Sequence, residues 1–519
     1  MKISIIQNNP KTGDFERNLS ALRKAVAEAD RQGADIIVAP EYAVTGPDPE
    51  DLLLREKFFI EAENAVRQLA SLNVRAAIVA GTIIKEGDCV YNTAVVIDGG
   101  RLEFVKKSIL SHDEAYYMDA GEKEGFCTIR GKNVLITLGG EVKLDYLFAE
   151  KPDLAINISA GTYTRGRITR DLKELSVTAK KYGVMLVSAN LCGGNDENVY
   201  YGASAVFAPD GKVLAEAGAF EEAVINIDTD KVEPSMIEER DDTADLVAAL
   251  TLGLGDYFCK QNFGKAVIGL SGGIDSAVVA ALAARAIGGE NVLGVMMPSE
   301  YTSDESISGA RELAENLKMP YRVVPVKNIF NSLVNEIKPA TAPGSVSLTL
   351  QNLQSRSRGV ILMALSNEEN RLVLATGNKS EVAMGYCTLY GDTVGAIDPL
   401  ADLFKTEVYE IARYLNKRKE IIPEETITRA PSAELRPGQK DEDELPPYEK
   451  LDKIVRLYLE ENKSAEELVE AGFDSNMVEK AIRRIEINEY KRRQLPMGIK
   501  ISECSFFIDR KMPIVRKPL

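Results

Sequence analysis

Short hydrophobic runs alternate with amphipathic stretches along the first 228 residues of the chain. The runs are rich in Val and Ile, which favours β-strands, whereas a hydrophobic position every three or four residues favours helices. The predicted strands are residues 3–6, 36–38, 76–79, 94–97, 134–137, 154–158, 184–188 and 203–207, and two intervening helices are residues 18–31 and 168–181. This alternation predicts an α/β protein built in layers.

A second unit of the same class begins near residue 243. Residues 228–242 before it are charged and contain a proline, which is typical of a boundary between domains. The predicted strands after it are 266–270, 292–297 and 321–326, with helices that end at Gly288 and span 306–317. We therefore predict domains at 1–230 and 245–519, a linker at 231–244, and a doubly wound parallel sheet in the second domain. Such a sheet binds ligands at the carboxyl ends of its strands.

The composition narrows the class of protein. The 519-residue chain has a formal net charge of −16, which argues against a surface that binds nucleic acid. Its six cysteines contain no Cys-x-x-Cys pair, so we predict reduced thiols rather than a disulfide framework or a zinc site. No hydrophobic run reaches the roughly 18 residues of a membrane span, and the N-terminus is too polar for a signal peptide. These features predict a cytoplasmic protein with no membrane or nucleic-acid partner.

A glycine turn joins the predicted strand at 266–270 to an Ala-rich helix. The turn reads Ser271-Gly272-Gly273-Ile274-Asp275-Ser276. Glycines let backbone N–H groups approach an oxyanion, and the positive end of the helix dipole attracts negative charge. The turn lacks the Gly-Lys-Ser/Thr ending of a Walker loop. It resembles the pyrophosphate loop of the N-type ATP pyrophosphatases, the adenine nucleotide alpha hydrolase-like class, which cleave ATP to AMP and pyrophosphate.

Further motifs follow this turn. They are Met297-Pro298-Ser299, Gln351-Asn352-Leu353-Gln354-Ser355-Arg356-Ser357-Arg358, Thr376-Gly377-Asn378-Lys379-Ser380-Glu381, Gly385-Tyr386-Cys387-Thr388-Leu389-Tyr390-Gly391-Asp392, Lys405-Thr406 and Asn488-Glu489-Tyr490-Lys491-Arg492-Arg493-Gln494. Their order and spacing resemble the NAD synthetase family over about residues 245–505. The resemblance implies that the nicotinate carboxylate of deamido-NAD attacks the α-phosphorus of ATP. Pyrophosphate then leaves, and ammonia displaces AMP to give NAD.

The resemblance also implies roles for individual residues. Lys405 is expected to be catalytic, and Asp392 could orient ammonia or take its proton. The implied ATP-binding residues are Gly269, Ser271, Gly272, Gly273, Asp275, Ser276, Thr376, Lys405 and Ser432, and the implied substrate-binding residues are Asn352, Arg356, Glu381 and Lys491. Asp275 and Glu381 are the implied ligands of Mg²⁺, the expected cofactor, with ATP as co-substrate.

The first domain resembles the nitrilase fold, an αββα sandwich that serves as the glutaminase of two-domain, glutamine-dependent NAD synthetases. Glu41 and Lys107 match the general base and the lysine of that amidase. The family has a cysteine nucleophile after the strand at 134–137, in a pattern close to Ile-Cys-Glu-Asp-x-Trp. Here the chain reads Leu138-Gly139-Gly140-Glu141-Val142. With Glu141 in register, Gly140 takes the cysteine position, and glycine offers no nucleophile.

Other positions of the amidase have also changed. Arg167 and Tyr201 stand where the family usually has lysine and aspartate, as expected for a site that is no longer used. We therefore predict an ammonia-dependent NAD synthetase with a degenerate amidase domain. Two alternatives stay open: a glutamine-fed synthetase that uses a rescue thiol (Cys127 or Cys192) or a separate glutaminase, and a non-catalytic scaffold that binds nucleotide. The resemblance further implies a homo-oligomer, at least a dimer and up to an octamer.

Residues 429–447 form a predicted loop that is longer than most loops and contains prolines and charged residues. Loops of this length in compact domains are usually functional lids or disordered. We predict that this loop, hereafter the lid, covers a ligand site.

Overall fold

The computed structural model describes residues 1–122, 125–339 and 346–517. The chain divides into two compact units, Met1–Asp245 and Leu246–Leu519. Within the described ranges, no helix is both long enough and apolar enough to cross a membrane.

The first unit contains most of the strands. They are β1 (Lys2–Gln7), β2 (Ile36–Val38), β3 (Ala77–Glu86), β4 (Cys89–Asp98), β5 (Arg101–Lys106), β6 (Phe126–Ile129), β7 (Lys132–Leu138), β8 (Leu154–Ser159), β9 (Leu186–Asn190), β10 (Cys192–Asn195), β11 (Asn198–Tyr201), β12 (Ala205–Phe207), β13 (Val213–Glu216) and β14 (Ala223–Asp228). The helices are α1 (Phe15–Arg31), α2 (Glu56–Ala70), α3 (Glu114–Tyr117) and α4 (Arg167–Tyr182), with 3-10 helices at Glu50–Leu54, Gly139–Lys143 and Asp145–Phe148.

Two six-stranded sheets form the middle layers of this unit, in the orders β14-β1-β2-β3-β4-β5 and β13-β12-β9-β8-β7-β6. Alternate residues of β1 explain the layering. Ile3 and Ile5 belong to the core between the sheets, together with Ile136 of β7, whereas Ile6 packs under α1 and α2. A strand with both faces buried reads as a nearly continuous hydrophobic run, as the sequence shows. The predicted αββα sandwich is confirmed.

The second unit begins with α5 (Asp242–Lys260), which crosses the boundary between the units. Its strands are β15 (Ala266–Gly269), β16 (Val292–Met296), β17 (Tyr321–Val323), β18 (Leu372–Leu374), β19 (Ile397–Asp398) and β20 (Met497–Gly498). Its further helices are α6 (Ile274–Ile287), α7 (Asp304–Asn316), α8 (Lys327–Ile337), α9 (Leu348–Glu369), α10 (Lys379–Met384), α11 (Lys405–Asn416), α12 (Glu424–Thr428), α13 (Tyr448–Glu460), α14 (Ala465–Glu470), α15 (Ser475–Ile487) and α16 (Glu489–Arg492), with 3-10 helices at Gly289–Asn291 and Asp441–Asp443.

In the sheet of the second unit, all neighbouring strands are parallel, in the order β17-β16-β15-β18-β19-β20. The chain therefore starts in the middle of the sheet, builds outward to β17, and returns to the other side of β15 with β18. In such a sheet the ligand crevice lies where the strand order reverses, outside the carboxyl ends of the two central strands. The predicted parallel sheet is confirmed, and its reversal point lies between β15 and β18.

Candidate active site

The glycine turn lies at the carboxyl end of β15 and leads into α6. Its hydroxyl groups brace it from within: the Gly273 N–H donates to Ser271 Oγ (3.1 Å), and Ser276 Oγ donates to the Gly273 carbonyl (3.0 Å). Gly272 has a φ of +82°, and a Cβ there would lie 2.4 Å from the carbonyl oxygen of Ser306. Only glycine fits this position, for reasons of both backbone conformation and space.

A cavity of about 300 Å³ opens at this end of the sheet. Nearly all of the predicted nucleotide-site residues line it: Gly269, Ser271, Gly272, Gly273, Asp275, Ser276, Thr376, Glu381, Asp392, Lys405 and Ser432. These residues come from segments as far apart as β15 and the lid. The fold thus gathers them at the crevice where a doubly wound sheet binds its ligands.

A buried lysine joins two of the cavity's carboxylates. Lys405 Nζ donates to Asp275 Oδ2 at 2.5 Å and lies 3.5 Å from Glu381 Oε1. Although burial opposes a charged ammonium, the two carboxylates raise the pKa of Lys405. Burial raises the pKa of Glu381 to about 8, against the lowering effect of Lys405. Asn378 Nδ2 donates to the other oxygen of Asp275 at 3.0 Å.

The two carboxylates implied as Mg²⁺ ligands therefore meet around one cationic group. Mg²⁺ in nucleotide sites commonly takes one or two carboxylates and completes its shell with water and phosphate oxygens. Asp275 and Glu381 fit that requirement, because the carboxylates of both residues contact the same positively charged group, the ammonium of Lys405. In the described ranges no group of three or more His, Cys, Asp or Glu side chains could hold a metal by itself. A metal here would depend on the polyphosphate for its remaining ligands.

Four further carboxylates line the cavity, those of Asp392, Asp398, Glu434 and Asp441. Asp392 Oδ1 accepts from the Thr388 N–H at 2.6 Å, and burial raises the pKa of Asp392 to about 6. Asp398, at the end of β19, accepts from the Gly377 N–H at 3.1 Å, and burial raises its pKa to about 8. Sequence reasoning missed Asp398. Its place immediately after a hydrophobic strand of a parallel sheet was the available signal.

The other predicted substrate-binding residues lie around residues 385–392, outside the lining of the cavity. Lys491 Nζ donates to the carbonyls of Gly385 (2.7 Å) and Cys387 (2.9 Å). Arg356 Nε donates to the Leu389 carbonyl at 3.1 Å, and Asn352 Oδ1 accepts from Thr388 Oγ1 at 2.9 Å. These three side chains therefore hold the backbone of the segment that carries Asp392.

The lid closes one side of the cavity. Residues 430–435 line it, and the hydroxyl of Ser432 braces the lid by donating to the Gln439 carbonyl at 2.6 Å and accepting from the Glu434 N–H at 3.2 Å. Gln354 Nε2, on α9, donates to the Leu435 carbonyl at 3.1 Å. The predicted lid therefore forms a wall of the cavity in this structure.

The first unit holds a second cluster of buried charges. Lys107 Nζ donates to Glu41 Oε1 and to Glu114 Oε1, both at 2.8 Å. Burial raises the pKa of Glu41 despite the lysine. Glu114 is also substantially buried, but its contact with Lys107 outweighs that effect and lowers its pKa to about 2. Asn92 Nδ2 donates to Glu41 at 2.6 Å, and the Ala160 N–H donates to its other oxygen at 3.0 Å.

Sequence reasoning identified Glu41 and Lys107 but missed Glu114. This glutamate lies at the start of α3, seven positions after the lysine, in a segment without a hydrophobic pattern. An acidic residue shortly after the predicted lysine was the only signal in the sequence.

Gly139, and not Gly140, faces this cluster. A Cβ built on Gly139 would lie 3.3 Å from Lys107 Nζ and 3.6 Å from Glu41 Oε2, whereas a Cβ on Gly140 would have no neighbour within 4 Å. Gly139 has a φ of +55° and follows directly after β7. A side chain at position 139 would therefore face the carboxylate and the ammonium, whereas one at the predicted position, Gly140, would start in open space.

Arg167 and Tyr201, the two side chains predicted to differ from the family's amidase, meet at one carboxylate. Arg167 Nε donates to Asp171 Oδ2 at 3.1 Å, and the Tyr201 hydroxyl donates to the same oxygen at 2.8 Å. The ring of Tyr201 lies against Gly161, where a Cβ would be 2.9 Å from a ring carbon. Gly161 directly follows Ala160, whose N–H binds Glu41. Arg167 and Tyr201 therefore lie beside Thr162 and Gly161, which follow the residue whose N–H binds Glu41.

The candidate rescue thiol Cys127 lies far from Glu41 and Lys107. It pairs with Val134 on β7, five residues before Gly139, which corresponds to about 16 Å along a strand. Burial raises the pKa of Cys127 to about 12, so the residue is a thiol at neutral pH. Cys192, the second candidate, begins β10 and is buried.

Comparison with known proteins agrees with this two-unit organisation. The NAD synthase family model matches residues 246–495, and the carbon-nitrogen hydrolase model matches residues 2–148 and 169–234. A glutamine-dependent NAD(+) synthetase from Thermotoga maritima is 38% identical, and the match covers 100% of this chain and 99% of that protein. A protein of the same name from Synechocystis sp. is 35% identical over 99% of this chain and 98% of its own length.

A solved structure matches the whole chain as well. The glutamine-dependent NAD+ synthetase from Acinetobacter baumannii, in complex with ADP, is 33% identical, with a TM-score of 0.79 over 99% of this chain and 98% of that one. Sequence and fold thus agree over both units, and the chain belongs to the family of two-domain NAD synthetases.

Proposed function

We propose that this protein makes NAD from deamido-NAD and ATP with ammonia, and not glutamine, as the nitrogen donor. The observation that carries the second half of this proposal is Gly139. An amidase of this fold needs a thiolate between its carboxylate and its lysine, and the residue that faces Glu41 and Lys107 has no side chain. We infer that Gly139 occupies the position of the family's nucleophile.

The first step joins the nicotinate carboxylate to AMP. A carboxylate oxygen of deamido-NAD attacks the α-phosphorus, the bond to the bridging oxygen breaks, and pyrophosphate carries away the electron pair. Both reactants are anions, so the site must neutralise charge. The backbone N–H groups of residues 271–276 and the ammonium of Lys405 supply positive charge at the cavity. Mg²⁺ held by Asp275 and Glu381 would add charge neutralisation on the phosphate oxygens.

The second step needs ammonia with a free electron pair. Its nitrogen attacks the activated carbonyl carbon, AMP leaves, and the nitrogen must lose a proton for the neutral amide to form. Asp392 lines the cavity and has a pKa raised to about 6 by burial, so it is ionised at neutral pH and able to accept that proton. We assign it this role.

A glutamine-fed reaction is the second candidate, because the relatives from Thermotoga maritima and Synechocystis sp. are named glutamine-dependent. It would need another thiol or a separate glutaminase. The pairing of Cys127 with the far part of β7 and the high pKa of this cysteine oppose it as the thiol. A purely structural role, with no catalysis, is opposed by the convergence of the synthetase residues on one cavity.

The deciding experiment measures NAD formed by the purified protein from deamido-NAD, ATP and Mg²⁺, with either ammonium or glutamine. We expect synthesis with ammonium and a rate at least 100-fold lower with glutamine, since loss of a covalent nucleophile leaves only residual catalysis. Glutamine turnover within tenfold of the ammonium rate would contradict the proposal. Loss of that turnover on alkylation of the cysteines would then identify a rescue thiol.

A further inference from the structure

One serine of α7 contacts both the lid and the glycine turn. The backbone of Ser306 packs on Gly272, whose absent Cβ would lie 2.4 Å from the Ser306 carbonyl oxygen. The side chain of Ser306 points to the lid: Ser306 Oγ lies 2.9 Å from Glu434 Oε1, and Arg429 Nη1 donates to Ser306 Oγ at 2.7 Å. Ser306 is only 3% exposed.

The lid residue in this contact has an unusual backbone. Glu434 has a φ of +48°, a left-handed conformation that is strained for a residue other than glycine. Its Oε1 lies within hydrogen-bond distance of two hydroxyls, Ser303 Oγ (3.0 Å) and Ser306 Oγ (2.9 Å). Hydrogen bonds to a carboxylate are stronger than those between neutral groups. The contacts with α7 therefore offset the strain and favour this one position of the lid.

We propose that Ser306 and Glu434 are positioning residues that couple closure of the lid to the phosphate-binding turn. The two residues form a latch between the lid and α7, and the Ser306 backbone sets the place of Gly272. This inference rests on the proposed synthetase reaction. A closed lid keeps water from the adenylated intermediate until ammonia attacks it. An open lid allows water to attack the same carbonyl, which returns deamido-NAD and AMP without forming NAD.

The measurement is the ratio of AMP released to NAD formed, with ammonium as nitrogen donor. Ser306→Ala and Glu434→Ala remove the two sides of the latch. We expect a ratio near one for the unmodified protein and a ratio raised several-fold in both variants, because one hydrogen bond to a charged acceptor shifts an equilibrium by about tenfold. Glu434→Gln keeps an acceptor oxygen for the serines and should restore a ratio close to one. Ser308→Ala, an exposed serine on the same helix, is the matched control.

Trypsin gives an independent readout of the same contact. Lys440 lies in the lid, so an open lid should be cut faster after this residue, with protection by ATP reduced in both alanine variants. If the ratio of AMP to NAD stays at one in Ser306→Ala and Glu434→Ala and tryptic cleavage is unchanged, the proposed latch is contradicted. Equal losses of AMP release and NAD formation in both variants would contradict it as well. Failure of the unmodified protein to make NAD with ammonium would instead contradict the proposed function. Glu434 is half-exposed, so its variants keep the test valid if Ser306→Ala does not fold.

Discussion

Lys405, Asp275 and Glu381 form a compact group with one positive and two potential negative charges in the cavity that the glycine turn lines. The lysine keeps the carboxylates together when no nucleotide is bound, since two buried carboxylates alone would repel each other. Polyphosphate and a divalent cation can replace these pairings, because the cation takes the carboxylates and the phosphates take the lysine. The group is thus suited to a ligand that brings its own cation.

Asp275→Ala and Glu381→Ala should therefore each lower NAD synthesis with ammonium by at least about 100-fold and shift the Mg²⁺ dependence to higher concentration. Each change removes one of the two carboxylates that meet around Lys405. Initial rates over a Mg²⁺ titration test this, with Glu312→Ala, an exposed acid on α7, as the control. A near-normal rate with an unchanged Mg²⁺ curve would remove that residue from the metal site.

Asp392→Asn should lower the ammonium-dependent kcat by about 100-fold, the range expected for loss of a general base. Burial raises the pKa of Asp392 to about 6, so its carboxylate is present above that pH and is lost as the pH falls through it. The unprotonated fraction of ammonia also decreases as the pH falls, but by the same factor for the unmodified protein and for Asp392→Asn. The ratio of unmodified to variant kcat should thus decrease below about pH 6. A pH-independent ratio would exclude Asp392 as the proton acceptor.

Residues of the cavity were predictable from the sequence only where a motif contained them. Asp275 and Glu381 lie in motifs with fixed spacing, and the structure brings both to the cavity. Asp398 and Glu114 belong to no recognised motif, and their importance comes from burial and from partners distant in sequence. The register of Gly139 and Gly140 could not be read from the chain, because the neighbouring residues had also changed. The two glycines differ only in the structure, where a Cβ on Gly139 would face Lys107 and Glu41 and a Cβ on Gly140 would not.

Among the secondary-structure elements, the neighbouring helix α7 constrains the conformation of the turn between β15 and α6. It approaches α7 so closely that Gly272 has no room for a side chain. The hydrophobic pattern predicted β15, α6 and α7 correctly as elements. It predicted β17 as residues 321–326, but only Tyr321–Val323 pair, because β17 is an exposed edge strand with one neighbour. How closely two elements approach each other cannot be deduced from either of them alone.

Gly272→Ala should raise the KM for ATP more than tenfold or abolish synthesis, because the new Cβ would collide with the backbone of Ser306 and the φ of +82° is strained for alanine. The expected cause is displacement of the turn's N–H groups. Gly264→Ala, at an exposed glycine with no neighbour within 4 Å of its Cβ position, is the matched control. If Gly272→Ala bound ATP normally by calorimetry, the turn would not be the phosphate site.

At the scale of the molecule, two units have separate cores and separate charged clusters. The αββα sandwich was predictable because its strands are hydrophobic on both faces, and the parallel sheet because strands and helices alternate regularly. The hairpin of β10 and β11 was not predictable, because glycines interrupt its hydrophobic pattern.

The expected homo-oligomer stays a prediction that light scattering can test. If the amidase cluster has lost its chemistry, its residues should matter for the stability of the first unit only.

Lys107→Met should lower the stability of the first unit by about 3–5 kcal/mol, because it leaves the buried carboxylates of Glu41 and Glu114 without their cation. The ammonium-dependent rate should stay within a few-fold of normal at temperatures where the protein is folded. Lys106→Met is the control, because its ion pair with Glu86 is exposed and worth about 0–1 kcal/mol. Calorimetric unfolding and initial rates measure the two effects. A large loss of ammonium-dependent rate in the folded variant would show that the cluster still acts in synthesis.

The nitrogen donor of the whole protein should be changeable through the first unit. Gly139→Cys would put a thiol beside Lys107, whose positive charge favours the thiolate, and beside Glu41, which can accept the thiol proton, so it should react with an alkylating agent faster than Gly140→Cys. We expect little glutamate release from glutamine by this single variant, because Tyr201 and Arg167 occupy space beside Gly161 and Thr162, close to the Ala160 N–H that binds Glu41, and catalytic geometry tolerates errors of only about 0.5 Å.

Adding Arg167→Lys and Tyr201→Asp to Gly139→Cys should raise glutamate release above that of the single variant, because these changes put the residue types usual in the family at the two positions that meet at Asp171, and the second removes an aromatic ring. The matched control carries the same two changes with Gly140→Cys, where the thiol faces neither Lys107 nor Glu41. Efficient glutaminase activity in Gly139→Cys alone would mean that the pocket is still intact and that only the nucleophile has been lost. Equal activity of the Gly139→Cys and Gly140→Cys triple variants would contradict the assignment of Gly139 to the nucleophile position.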